Sequence, residues 1–311
     1  MEKIIELVSS FTCVAVPLFF VISSCLLYSK EDSFIINIKK KSKTIILPYL
    51  SWIVLTIIFY YVAQSFSFTK KYFATVIIRN FTMLDWIQAF IGKINAPENP
   101  TAHYPIVMQF WFLRDLIILN IFYLPLKKVI DTFPVSTFAL LFVLWIVNPQ
   151  IYIINTGALF YFAVGYYIVK YNVSYKTIDK IKFLDLVLMY FVIIVSRLFL
   201  QEYVPIIGSI NIIIALIFFI KLSAYFIKNN ALYTILNWLK EYAFWIYALH
   251  MLLEAILIKL SVLVIPMKDG WLLLQYFGVI IVTTSLLLVI GISVRNIMPK
   301  CYSLLTGGRI K

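Results

Sequence analysis

Apolar residues run through this chain in blocks long enough to cross a bilayer, and the short connectors between them hold most of its charge. A span needs about 20 predominantly apolar residues. By that measure the pattern predicts an all-α, polytopic helical membrane protein of about nine transmembrane helices. Their expected positions are 8–28, 44–64, 106–126, 134–148, 151–169, 183–200, 204–224, 242–261 and 271–293. The fourth is short, and Asn148-Pro149-Gln150 makes a tight turn into the fifth. Neither an internal repeat nor a soluble domain interrupts the series, so residues 1–311 read as a single integral-membrane domain. One connector is long, about 65–105, and its Phe81–Ile91 stretch has the helical apolar spacing of an interfacial helix. Asn95–Thr101 then reads as loop.

Composition agrees with this reading. Apolar residues make up 63% of the chain and charged residues only 13%, with a mean hydropathy of +0.95. The net charge of +13 does not signal nucleic acid, because the bases fall in connectors, as in proteins oriented by the positive-inside rule. Lys30, Lys39, Lys40, Lys41 and Lys43 follow the first span, and alternate connectors thereafter carry Lys127 and Lys128, then Lys170, Lys176, Lys180 and Lys182, then Lys221, Lys228 and Lys240. That set, with the basic tail, is expected in the cytoplasm, which leaves the C-terminus inside and the N-terminus outside. Cys13, Cys25 and Cys301 have no metal-ligand spacing, so no metal is expected.

Two segments carry candidate chemistry. Gln109–Leu119 sets Arg114 beside Asp115 inside an apolar run, and ionisable groups at membrane depth usually line a protein cavity. Thirteen residues separate Arg114 from Lys127, about 20 Å along a straight helix. In the eighth span His250 lies ten residues from Lys240, about 15 Å, so the two groups reach similar depth. Glu254 shares the His250 face at i+4 and could orient the imidazole, a proton-transfer group near neutral pH. Trp111 and Tyr247 add aromatic surface for a substrate. Alternatively, the Arg114–Asp115 pair locks helices together and His250 is a packing residue. Arg197 and Lys259, near the outer ends of their spans, are expected to snorkel to the interface, and His103 to lie on the outer surface.

Four motifs, in order, resemble one family. They are Val16-Pro17-Leu18-Phe19-Phe20-Val21-Ile22-Ser23, Leu47-Pro48-Tyr49-Leu50-Ser51-Trp52, Phe110-Trp111-Phe112-Leu113-Arg114-Asp115-Leu116 and Phe244-Trp245-Ile246-Tyr247-Ala248-Leu249-His250. Together they are similar to the integral-membrane acyltransferase 3 family over essentially the whole chain. The resemblance implies a multi-pass enzyme of the bacterial inner membrane. Such an enzyme takes an acyl group, usually acetyl from acetyl-CoA on the cytoplasmic side, to a hydroxyl of a cell-surface glycan or its lipid-linked precursor. It makes Arg114 a candidate for electrostatic stabilisation and His250 for positioning or proton transfer, with Asp115 and Glu254 beside them.

The chain departs from that pattern in two places. The family usually opens with one more span, carrying an Arg and the His regarded as catalytic, and this sequence begins where the second family span would. Read so, the polypeptide is short at its N-terminus and expected to be inactive as written. Ser23-Ser24-Cys25 also replaces the family's Ser-Gly-aromatic, removing a Gly that permits close helix approach. Two other classes stay open. A polysaccharide transporter or flippase-like protein would keep polar groups at mid-depth, but predicts paired half-repeats and Gly- or Pro-broken spans in corresponding positions, which the sequence does not display. A non-catalytic membrane partner would follow from the missing first span.

Overall fold

The computed structural model describes residues 2–30, 33–70, 77–92, 104–149, 151, 153–174, 176–200, 203–204, 206–266 and 269–308. The Asn95–Thr101 loop and His103 lie outside the described residues. All regular structure among the described residues is helical. The first six helices are α1 (Glu2–Thr12), α2 (Ala15–Tyr28), α3 (Phe34–Lys41), α4 (Leu47–Ser65), α5 (Ser67–Lys70) and α6 (Met83–Ile91). Next come α7 (Trp111–Ile121), α8 (Tyr123–Thr132), α9 (Pro134–Val147), α10 (Thr156–Lys170) and α11 (Lys176–Asp179). The last five are α12 (Phe183–Leu200), α13 (Ile206–Lys228), α14 (Asn230–Ser261), α15 (Asp269–Ile297) and α16 (Pro299–Thr306).

Among the described residues, six helical stretches are long and apolar enough to cross a membrane, or seven if Met108–Ile121 and Tyr123–Thr132 are counted as one broken span. The expected count of nine is not reached by that measure. Each expected segment holds helix, but the fifth starts only at Thr156, and α9 has 14 residues and α10 has 15. Each is about 21–23 Å long, short of the roughly 30 Å hydrocarbon thickness. Asn148 ends α9 in the left-handed conformation with φ 47°, and Pro149 cannot continue the helix. Asn155 then starts α10 by accepting from the backbone N–H groups of Gly157 and Ala158.

Prolines break two of the apolar runs that read as continuous. Pro125 has no N–H and its ring crowds the carbonyl four residues back, at Ile121. The helix ends there, and Phe122 (φ −96°, ψ 14°) separates α7 from α8. Pro17 acts likewise on Cys13. The first span stops at Thr12 and restarts at Ala15, with Pro17 in the new first turn, where its missing N–H costs little.

The chain forms two compact units, each made of two separate stretches. Unit 1 comprises Met1–Ser33 and Ile121–Asn237. In it α2 and α10 approach closely at Gly165, where a Cβ would sit 2.5 Å from both Ser24 Cβ and the Val21 carbonyl oxygen. Ser24 Oγ donates to the Phe162 carbonyl and Cys25 Sγ to that of Gly165 at 3.4 Å. The close approach expected to be lost with the family's glycine is therefore made from the facing helix. Unit 2 comprises Phe34–Asn120 and Trp238–Lys311. Trp52, Trp245 and Tyr302 form its aromatic centre, with Trp52 5.4 Å from Trp245 and Trp245 5.4 Å from Tyr302. Trp52 Nε1 donates to the Leu305 carbonyl at 2.9 Å, which seats α16.

Candidate functional site

Unit 2 holds every candidate named from the sequence. Arg114 and Asp115 lie on α7, 8% and 0% exposed. Consecutive helical residues point about 100° apart, so the long Arg114 side chain must curl round to meet its neighbour. It does so twice at one oxygen: Nε donates to Asp115 Oδ1 at 2.9 Å, and Nη2 lies 2.8 Å from the same atom. Nη1 donates in another direction, to the Ile91 carbonyl at 2.9 Å. Ile91 is the last residue of α6, where helix carbonyls have no partner within the helix. Its neighbour Phe90 accepts from the Tyr49 hydroxyl of α4. Two buried side chains thus cap the same helix end.

Helix α6 begins as deliberately as it ends. Thr82 Oγ1 accepts from Asp85 N at 3.3 Å, and Asp85 Oδ2 accepts from Thr82 N at 2.8 Å, a reciprocal capping box. The Thr82 hydroxyl and backbone N–H hold the Asp85 carboxyl below its ordinary range. Met83, Leu84, Trp86 and Ile87 are exposed, as expected of a helix lying along the membrane interface.

A second set of contacts ties the start of α7 to the middle of α14. Gln109 Nε2 donates to the Ala248 carbonyl at 2.9 Å, and the Tyr247 hydroxyl donates to the Gln109 carbonyl. Phe110 is fully buried and stacks between Tyr49 and Tyr247, with centroids 5.7 Å from each. One turn along α14, His250 Nδ1 lies 2.7 Å from the Tyr247 carbonyl. A carbonyl only accepts, so Nδ1 carries a proton, and in the neutral form of the ring the lone pair then falls on Nε2. That is the tautomer of a general base.

Several sequence expectations change here. The Tyr247 carbonyl, not Glu254, orients the His250 ring, because an i−3 carbonyl is nearer than a side chain one turn ahead. Glu254 does share the continuous α14 and is half-buried. The Tyr247 hydroxyl donates to the Gln109 carbonyl, and its ring packs against Phe110 and Phe112. Trp111 is half-buried, 6.5 Å from Phe112, whose ring is in turn 4.9 Å from Tyr247. The straight-helix depth of Arg114 does not hold, since α7 ends at Ile121. Arg197 donates to Ser9 Oγ of α1 at 3.2 Å. Tyr49 and Gln109 went unrecognised as site residues. Tyr49 stood in a quoted motif, but the carbonyls they engage leave no trace in a sequence.

Chemically, unit 2 offers a buried guanidinium–carboxylate pair on α7 and an imidazole on α14, with Gln109 and Tyr247 joining the two helices. Neither the curated proteins nor the solved structures contain a match to the chain. An acyltransferase domain family does match, over residues 2–293. The chain, a helical multi-pass membrane protein with these buried polar groups, therefore belongs to the acyltransferase 3 family.

Proposed function

We propose that this protein moves an acyl group, acetyl in the first instance, from acyl-CoA to a hydroxyl of a cell-surface polysaccharide or its lipid-linked precursor. The observation that carries this reading is the join between α7 and α14, in a chain matched along nearly its whole length by an acyltransferase domain. Acyl transfer to a hydroxyl needs a base for the acceptor proton and a positive group for the oxyanion. His250 Nε2 has the free lone pair of the first, and the Arg114 guanidinium is the candidate for the second.

The basic connectors suit the cytoplasmic face of a bacterial inner membrane, where they would attract the anionic CoA. The C-terminus is then cytoplasmic, and α6 lies on the opposite face, where a glycan hydroxyl would arrive. Mass spectrometry of surface glycan from cells with and without the gene tests the reading. Loss of an acyl substituent in the deletion, restored by the gene, is expected. Identical glycans would overturn it.

A further inference from the structure

Unit 1 contains a helix that the acyl-transfer reading does not use, the ten-residue α8. Two helices that it meets, α2 and α10, run side by side in the same direction. Ser24 reaches Phe162, Cys25 reaches Gly165, and the Tyr28 and Tyr166 rings lie 4.4 Å apart, so the contacts advance together along both helices. Tyr28 is the last residue of α2, and α10 ends one turn after Tyr166, at Lys170. Both helices therefore finish on one side of the unit.

Helix α8 is tied to that side at both of its ends. The Tyr28 hydroxyl donates to the carbonyl of Tyr123, the first residue of α8, at 2.8 Å. Near the other end, the Tyr166 hydroxyl donates to Asp131 Oδ1 at 2.6 Å. Lys170 Nζ lies 2.9 Å from the same oxygen and donates to the Ile130 carbonyl at 3.2 Å. Tyr123 and Asp131 are about 12 Å apart along the helix, yet the two tyrosines that hold them stand side by side. The helix therefore runs across the ends of α2 and α10 instead of prolonging either, as a helix lying on a membrane surface does.

The residues that α8 leaves exposed divide by chemistry. Tyr123 and Ile130 are buried, while Val129 is exposed, as are Phe122 and Phe133 at the two ends. Lys127 and Lys128 are exposed as well, and at helical spacing they point about 160° and 100° away from Val129. An apolar flank beside a basic one marks a helix seated at headgroup level. We propose that α8 is a docking surface for anionic phospholipid, with Val129 and the two phenylalanines in the acyl-chain region and the lysines on the lipid phosphates. A soluble anion such as coenzyme A would engage the lysines but leave the apolar flank in water. A zwitterionic lipid would cover that flank but has no net charge to attract the lysines. The surface rests on the membrane class of the chain, not on the proposed acyl transfer.

The test uses the full chain with Cys13→Ala, Cys25→Ala, Cys301→Ala and Val129→Cys, and a bimane fluorophore on the thiol at position 129. Phosphatidylcholine nanodiscs carry a small share of lipid with a nitroxide on its acyl chain, either phosphatidylglycerol or phosphatidylcholine. Both should quench the fluorophore, and phosphatidylglycerol should do so as if enriched about five-fold beside α8. That is the effect of one lysine at an anionic surface, since Asp131, at i+4, offsets Lys127. Lys127→Gln with Lys128→Gln should abolish the difference and leave the melting temperature close to the parent's, because both side chains are exposed. Raising the salt concentration should shrink the difference. Quenching by neither lipid would place α8 away from the bilayer and overturn the surface. Equal quenching by the two, or a preference that survives the double variant, would overturn the role of the lysines. Equal quenching with emission altered by added coenzyme A would assign them to a soluble anion, and would likewise overturn the lipid site.

Discussion

Arg114 Nη1 donates to the Ile91 carbonyl at 2.9 Å, so the guanidinium that neutralises Asp115 also fastens the end of the interfacial helix α6. One side chain therefore has a structural task and, under the proposed function, an electrostatic one. The two are separable by mutation.

Arg114→Ala strands a fully buried carboxylate, and breaking a buried pair costs about 3–5 kcal/mol. A large drop in thermal stability in detergent is expected, together with loss of glycan acylation. The double variant Arg114→Met, Asp115→Leu removes both charges and should recover most of the stability. Acylation should stay absent in the double variant. If it returns, the guanidinium acts only as a fastener.

His250→Asn keeps a donor for the Tyr247 carbonyl but removes the lone pair at Nε2. Acyl transfer should fall by about 10²–10⁴-fold, the usual contribution of a general base, with thermal stability close to that of the parent. Rate measurements beside a melting curve distinguish this from a packing role, in which stability would fall instead.

Tyr247→Phe keeps the ring stacked on Phe110 and deletes only the bond to the Gln109 carbonyl. Stability should drop by about 1 kcal/mol. If the α7–α14 join sets the His250 position, acylation should fall further than that loss of stability accounts for.

The α6 cap carries a pH dependence of definite sign. The Asp85 carboxyl titrates below its ordinary range in the folded protein, so its contribution is present above the unfolded value. It is lost as pH falls through the depressed folded value. Amide exchange at Thr82 and Asp85 should accelerate as pH drops below the usual carboxylate range, beyond the intrinsic change in exchange rate. Asp85→Ala should remove that excess.

Gly165→Ala would drive a Cβ to 2.5 Å from Ser24 and the Val21 backbone, and a backbone cannot yield cheaply. A loss of about 1–3 kcal/mol is expected, read as a lower melting temperature. Gly278→Ala, where nothing lies within 4 Å, should be neutral or slightly stabilising.

The helical membrane class was legible in the sequence because the hydrophobic effect acts on composition and run length, both of which a sequence displays. The segments holding Arg114 and His250 were legible too, since a charge in an apolar run stands out without knowledge of its neighbours. Even the breaks were written in the chain, at Pro17 and Pro125, but counting apolar residues passes over a missing N–H. What the sequence could not reveal was the partners. The Ile91 and Phe90 carbonyls are main-chain atoms with no residue signature, and tertiary packing alone chose Arg114 and Tyr49 to meet them, whereas His250 meets the Tyr247 carbonyl locally, within its own helix. Tertiary packing also brought Arg197 to Ser9 and set Gly165 against Ser24. Hydrogen bonds need distances of about 3 Å and a direction, and three-dimensional packing sets both.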